Sequence, residues 1–468
     1  MGETGSIGFG KGLGACALIA FALAAPARAQ TADDDTMAEP GQPTIASALP
    51  EPWRTWNGLR PALEDRGVTF AFTYLSDAMR TLGREGRQGA SYMGRAEGVM
   101  EADLEKLLGW RGARFHVGGF VIHGVGLSHH FVRNLANVSD LEATASLRFN
   151  DVWIEQKFGD RLSLRVGRIA GDSEFFFYAP SASLPVGGAF GWTPLTSLNL
   201  PNGGPGYPLA WPGARLRYDA GERLSLQIGV FDGDALGPGL RDPDVRDRAG
   251  VRARFSAPFV IGEAQVKYTL PVFGGLSGQV RIGAWRHFGR FADQRFDTLG
   301  LPLAAPARAG AARFHRGDFA FYGVIDQQVW RSADTAANGV FVWARAGIAP
   351  PDRNPIDLYI DGGVNFIGLV PGRPNDRFGF AAYYARISSA ARAFDRDSRL
   401  FGAWTAPLRD REALVEATYA FEAAPGFAVQ PHVQYIIHPG GAGRGFDGEG
   451  RIKPARAATI GLRTSIKY

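Results

Sequence analysis

The chain has 468 residues, 45% hydrophobic and 21% charged, with 62 glycines and a net charge of +5. These values exclude an α-helical membrane protein, which would be greasier, and a nucleic-acid binder, whose basic residues would cluster where these are scattered. A transmembrane β-barrel remains open, because half of every strand faces water, and barrels run long as single units.

Residues 1–29 read as an export signal. Lys11 precedes the small-and-apolar stretch Leu13–Ala25, and Ala27-Arg28-Ala29 supplies an A-x-A cleavage site, so the mature chain is expected to begin at Gln30. The one cysteine, Cys16, lies inside this segment; Leu13-Gly14-Ala15-Cys16 faintly matches a lipoprotein box, but the apolar run continues past Cys16, which argues against lipidation. No later stretch reaches ~18 consecutive apolar residues, so any membrane crossing must use strands. Residues 30–52 are polar, acidic and Pro-rich and are expected to be disordered. In 53–66, Leu59 and Leu63 fall at helical spacing and predict a short helix, so 30–66 forms an N-terminal segment ahead of a barrel at 67–468.

After Gly67 a two-residue period takes over. Strands are predicted at 68–78, 93–106, 113–123, 146–158, 161–169, 213–219, 222–231 and 262–271. The second half adds 276–288, 317–330, 338–349, 356–367, 377–388, 412–422, 426–437 and 458–468. In 213–219, Ala214, Leu216 and Tyr218 oppose Arg215 and Arg217; in 426–437, Val429, Val433, Tyr435 and Ile437 oppose Gln430, His432 and Gln434. The final stretch, ATIGLRTSIKY, puts Ala458, Ile460, Leu462, Thr464, Ile466 and Tyr468 on one face and Thr459, Gly461, Arg463, Ser465 and Lys467 on the other. Its length of about 11 residues suits a tilted bilayer-crossing strand. Tight links (159–160, 219–221, 272–275, 423–426) alternate with long ones (124–145, 170–212, 289–316, 389–411, 439–457), as short periplasmic turns alternate with long external loops. The stretch 249–257 would reverse that order as a seventeenth strand and is assigned to the loop before it. The expectation is an all-β, sixteen-stranded antiparallel transmembrane barrel with both termini on the periplasmic side. A β-sandwich would need neither so many strands nor such loops, and a solenoid would show a fixed repeat.

Enzymatic signatures are sparse: no HExxH, phosphate loop or GxSxG elbow is present, and Ser277 sits in a turn. His129-His130 reads as a loop pair in preference to a metal pair, since adjacent strand residues point to opposite faces. A barrel hydrolase acting on lipid or glycan stays as a minor alternative. The apolar-out rule places Arg114, His116, Arg165, Arg215, Arg217, Lys267, Arg281 and Arg345 inside, with Asp151, Glu155, Glu263, Asp361, Glu412 and Glu416, and with Gln265, Gln279, Gln430 and Gln434. Mixed signs with amides suit a neutral, hydroxyl-rich solute better than an ion, although any water-filled barrel has a polar wall. The loop 170–212 holds Asp172, Glu174, Phe175–Phe177, Tyr178, Phe190, Trp192, Tyr207 and Trp211. So aromatic a loop is expected to fold into the barrel, narrow it and offer flat faces for stacking on sugar rings; a membrane-interface girdle or packing of loop against loop is the alternative.

GRIAGDSEFF (167–176), FGWTPLTSLNLPNGGPGYPLAWPGARLRY (190–218), RIGAWRHFGRFADQRFD (281–297), YGVIDQQVW (322–330) and QPHVQYIIHPGG (430–441) together resemble the OprB-type carbohydrate-selective porins, from about Gly58 to Tyr468. The resemblance implies passive, saturable diffusion of monosaccharides such as glucose through an eyelet of loops and lumenal charges. By motif it points to Glu155, Arg165, Asp172, Glu174, Arg215, Arg217, Trp285, Asp326, Gln327, Gln430 and Gln434 as pore-lining or sugar-binding positions. It also implies a monomer. Tyr468 stands where the family usually ends in Phe, and the wall is Arg-rich, which leaves open a general or anion-leaning porin. Expected partners are small neutral sugars, outer-membrane lipid and, through 458–468, the barrel-assembly machinery; no nucleic acid, cofactor or metal is expected.

Overall fold

The computed structural model describes residues 44–83, 88–176, 183–272, 274–306, 310–332, 335, 338–402, 408–442, 445–446, 452–453 and 455–468. The export signal and residues 30–43 therefore lie outside the described residues, as do Phe177 and Tyr178. The strands are β1 (Val68–Leu82), β2 (Ala90–Asp103), β3 (Ala113–Gly124), β4 (Ser146–Phe158), β5 (Leu162–Ile169) and β6 (Trp211–Asp219). They continue with β7 (Leu224–Asp232), β8 (Pro258–Leu270), β9 (Leu276–Asp297), β10 (Ala312–Arg331), β11 (Gly339–Ile348) and β12 (Ile356–Ile367). Last come β13 (Arg377–Ile387), β14 (Arg411–Ala424), β15 (Phe427–Ile437), the two-residue pair β16 (Gly445–Phe446) and β17 (Ile452–Lys453), and β18 (Arg456–Lys467). All but β16 and β17 close into one sixteen-stranded antiparallel barrel.

Alternation decides which side of the wall each residue takes. On β7, Leu226, Ile228 and Val230 are exposed on the outside while Gln227 and Phe231 are buried inside. On β18, Ile460 and Leu462 are exposed outward, and Thr459 and Arg463 are buried. Closure comes from β18, which pairs β15 on one edge and β1 on the other, from Thr73↔Lys467 to Leu82↔Ala458. No open edge remains to be satisfied in a membrane. Among the described residues no helix is long and apolar enough to cross a bilayer.

Connections sort by end, as expected. One end carries 159–161, 220–223, 271–275 and 425–426; the other carries 125–145, 170–210, 233–257, 388–410 and 438–455. The stretch 249–257 lies in a loop. Two expectations about the strands need correction. Much of 289–316 is strand: β9 and β10 run on as a tongue, paired through Arg316↔Arg290 and Phe314↔Ala292, after β8 has ended at Phe259↔His287 and β11 at Phe321↔Ile348. Mutual pairing satisfies the tongue's backbone groups beyond its neighbours' ends. Strand β2 stops at Asp103, whose carboxylate accepts from the N–H groups of Glu105 (2.9 Å) and Lys106 (3.2 Å) and so caps a helical turn, Leu104–Leu108.

The N-terminal segment has regular structure within 44–66, including part of the stretch expected to lack it. It forms a turn at Ile45–Ala48 and short helices at Glu51–Arg54 and Leu59–Asp65, two where one was expected. Contact explains it. A Cβ at Gly426 would lie 2.4 Å from the Ile45 nitrogen, so only glycine lets this segment lie on the β14–β15 turn. Trp56 stacks on Tyr468 and its Nε1 donates to the Tyr468 hydroxyl at 2.6 Å. That hydroxyl donates in turn to the Trp53 carbonyl at 2.5 Å.

Candidate functional site

Register assembles the charged wall. Arg114 on β3 pairs across to Glu155 on β4, Glu155 to Arg165 on β5, and Arg165 to Arg215 on β6. These four inward side chains therefore form one row at one height. Arg114 Nη2 donates to Glu155 Oε2 at 2.9 Å, Arg215 Nη2 donates to Glu155 Oε1 at 2.8 Å, and Arg165 Nη2 lies 3.5 Å from Glu155. Two like charges directly opposite, Arg165 and Arg215, would repel. The counter-charge comes from the loop between β5 and β6, whose Glu174 accepts from Arg215 Nε at 2.9 Å and also pairs with Arg165. Glu101 approaches Arg114 at 3.6 Å. Three guanidinium groups thus meet three carboxylates.

Next to this row, Trp153 is sandwiched. His116 stacks on it with centroids 4.5 Å apart, and the Arg165 guanidinium carbon sits 3.7 Å from the ring centroid. Glu101 and Asp151 hold His116 from both ring nitrogens, at 3.1 and 3.2 Å. This packing fixes the Arg165 head against the wall, so the row is pre-organised.

The described parts of the loop between β5 and β6, 170–176 and 183–210, pack into the barrel, as expected, and the reason is legible in their contacts. Phe176 stacks on Tyr322 of β10, Phe175 packs edge-on against Phe231 of β7, and Phe190 packs on Trp343 and Tyr383 of β11 and β13. Arg345 of β11 donates to the carbonyls of Phe190 (2.7 Å), Gly191 (3.1 Å) and Ala189 (3.2 Å) while gripping Asp361 through Nε at 3.0 Å. Glu416 accepts from the N–H groups of Val186 (2.7 Å) and Gly187 (3.0 Å). Irregular backbone is tolerated at membrane depth because wall side chains take over its hydrogen bonds. The expectation of flat faces for a solute fails for Phe175, Phe176, Phe190, Trp192 and Trp211, which are all buried and anchor the loop.

A second loop joins it, which the sequence reading did not anticipate. In 125–145, Glu412 accepts from Leu135 N at 2.7 Å and Ala136 N at 3.2 Å. Arg463, held by Asp77 at 2.8 and 2.9 Å, also pairs with Asp140. The two loops are joined to each other by Gly188 N to Asn137 O (2.8 Å) and Asp140 N to Val186 O (2.8 Å). The inward carboxylates Glu412 and Glu416 were the available signal, since a buried carboxylate needs donors and backbone N–H groups are the nearest supply.

The remaining predicted residues divide. Glu155, Arg165, Glu174 and Arg215 come together in the row. Asp172 is close by in the loop, where it accepts from Tyr207 N at 2.7 Å and burial raises its carboxyl pKa to about 6. Arg217 lies one step toward the short turns, with Nε 3.1 Å from Asp219. Trp285 is inward and buried against Phe259, with centroids 5.8 Å apart. Asp326 is inward opposite Gln279, near the short-turn end. Gln430 and Gln434 face inward on the far wall, but as loop anchors, donating to Leu184 O and Val138 O at 2.7 Å each. Gln327 must be corrected: it shares the outward face of β10 with Phe321, Ile325 and Val329, because its neighbours Asp326 and Gln328 take the inside. His129 and His130 lie on a helical turn, Ser128–Val132, in the second loop.

Comparison with known proteins agrees with this geometry. The family model described as carbohydrate-selective porin, OprB family, matches residues 87–468. Porin B of Pseudomonas aeruginosa is 22% identical over 410 residues, covering 82% of this chain and 86% of the relative. The putative porin QuiX of Acinetobacter baylyi is 20% identical over 414 residues, covering 82% and 88%. The high-pH structure of Pseudomonas putida OprB superposes with a TM-score of 0.75 at 21% identity, covering 88% of this chain and 97% of that one. A closed even-stranded barrel with a polar interior and an apolar exterior is built for the outer membrane of a Gram-negative cell. The chain belongs to the OprB family of carbohydrate-selective porins.

Proposed function

We propose that the barrel passes small neutral sugars, monosaccharides such as glucose, by passive and saturable diffusion through the constriction. The carrying observation is the charge-balanced row of Arg114, Glu155, Arg165 and Arg215, completed by Glu101 and Glu174. Its donors and acceptors stand side by side at fixed positions, and its charges cancel at short range, so no net field draws an ion in. A hydroxyl-rich ring donates and accepts at once and matches such a wall. Binding must stay weak enough for release, which gives saturation without trapping. In this reading Arg114, Arg165, Glu174 and Arg217 contact the solute, and Glu155 and Arg215 position them. Asp172, Trp285 and Asp326 shape the path, whereas Gln430 and Gln434 hold the loops. The barrel works as a monomer in outer-membrane lipid, enters it through recognition of 458–468 by the assembly machinery, and uses no cofactor and catalyses no reaction.

Liposome swelling with purified protein tests this against its rival. Glucose, a neutral amino acid and gluconate are compared at matched osmolarity over a range of concentrations. Faster, saturating entry of glucose supports the proposal; equal, linear entry of all three reduces the function to general diffusion. One observation favours an anion-leaning porin: Arg114 is 27% exposed and Arg165 12%, against 1% for Glu155. Preferred entry of gluconate would establish that reading. A survey of phospholipid and glycan hydrolysis with the same preparation tests the absence of enzymatic activity.

A further inference from the structure

The tongue of β9 and β10 carries an unusual outer face. Outward positions on β9 read Ile282, Ala284, Arg286, Phe288, Arg290 and Ala292; those on β10 read Phe314, Arg316, Phe319 and Phe321. There is no carboxylate in this set. Arg290 stands directly opposite Arg316, and like charges across a strand pair destabilise each other. Among the described residues no ion pair reaches Arg286, Arg290 or Arg316. The contrast with the lumen is sharp, since there the abutting Arg165 and Arg215 are both neutralised by Glu155 and Glu174.

Two of the cationic heads, those of Arg286 and Arg290, lie over aromatics. The Arg290 guanidinium carbon lies 4.7 Å from the Phe314 centroid, and that of Arg286 lies 5.8 Å from both Phe288 and Phe319. Gly317, at φ +75°, leaves a slot for Arg286: a Cβ there would come within 2.6 Å of its Nη2. Height is set by register. Arg286 is level with Val260 near the long-loop end of β8, and Arg290 lies past the last paired residue of that strand. The apolar band of the barrel therefore runs directly up into this patch, at the external boundary of the bilayer. Arginines at that depth reach toward headgroups, and each guanidinium offers a fork that fits phosphate oxygens.

We propose that Arg286, Arg290 and Arg316 form a binding site for the phosphate groups of the phosphorylated glycolipid in the outer leaflet, with Phe288, Phe314 and Phe319 against its acyl-chain boundary. The lipid anion supplies the counter-charge that the protein omits, and the tall β9–β10 tongue is thereby fixed relative to the membrane plane.

The test is native mass spectrometry of the full-length porin with lipid A carrying two phosphates, one phosphate or none, and with inorganic phosphate as competitor. The wild type is expected to retain the bisphosphorylated form most strongly. Arg290→Gln should weaken retention about 5-fold, and Arg290→Gln with Arg316→Gln about 30-fold, on the scale of one interfacial cation each. Arg290→Lys with Arg316→Lys should recover part of the loss, and glucose flux should stay unchanged in every variant. Heat-modifiable migration on gels verifies that each variant is a closed barrel. Equal retention of bisphosphorylated lipid by wild type and the double glutamine variant would overturn the proposal. Equal retention of the dephosphorylated lipid would also overturn it, and so would full displacement by inorganic phosphate at equimolar concentration, which would mark the patch as a site for the free ion.

Discussion

Releasing the inserted loop should convert a narrow, saturable channel into a wide one. Arg345 is the principal clamp: it donates to the carbonyls of Ala189, Phe190 and Gly191 and is itself held by Asp361. Hydrogen bonds from a charged donor contribute roughly 1.5 kcal/mol each at the low end, so three of them bias the loop toward its seat by about 4.5 kcal/mol, or about a thousandfold. Replacing Arg345 alone would strand Asp361, so the variant to make is Arg345→Met with Asp361→Asn. Adding Glu416→Ala removes the acceptors for Val186 and Gly187 and extends the release to the whole of 186–191. The assay is single-channel conductance in planar bilayers, paired with the concentration dependence of glucose entry into liposomes. Conductance should rise in the double variant and further in the triple one, and saturation of glucose entry should disappear. Barrel integrity should be retained, because the sixteen-strand ladder makes none of these contacts. Unchanged conductance and unchanged saturation in a folded triple variant would refute the claim that this loop sets the constriction.

Glu155→Gln should leave Arg114, Arg165 and Arg215 facing Glu101 and Glu174 alone; the zero-current potential in a salt gradient should shift toward anion preference, and barrel stability should fall by roughly 3 kcal/mol for a broken buried pair. Burial raises the Glu142 carboxyl in the second loop to about 7, even though it accepts from Ser128 N and Oγ. Its folded value therefore lies above its unfolded one, so its contribution to loop seating is full below about pH 4.5 and is lost as pH rises through about 7. Open-channel noise recorded from pH 4 to 8 should increase across that window in the wild type and stay flat in Glu142→Gln. Tyr468→Phe deletes both hydroxyl bonds to Trp53 and Trp56, at about 1 kcal/mol each; limited proteolysis should release the 44–66 segment faster while the barrel itself resists.

The barrel was legible in the amino-acid sequence. Strand alternation is local, so the outward set of Leu226, Ile228 and Val230 and the inward set of Thr459 and Arg463 can be read from neighbours two residues apart. The strand count needed one thing more, the order of short turns and long loops, which assigned 249–257 to a loop. Alternation also named the inward charges, Arg345, Asp361, Glu412 and Glu416 among them. What these charges do was decided by tertiary structure, because a carboxylate's partner depends on which backbone N–H arrives from another part of the chain. Glu412 meets Leu135 across the barrel, and Arg463 meets Asp77 only once β18 has closed onto β1. Motif resemblance could not see that Gln327 points outward, since a motif gives adjacency in the chain and not a side of the wall. Nor could composition tell whether the aromatics of 170–210 would stack on a solute or anchor the loop. Burying their surface against the wall is favourable in itself, and that choice required knowing that β7, β10, β11 and β13 present Phe231, Tyr322, Trp343 and Tyr383 at the matching height.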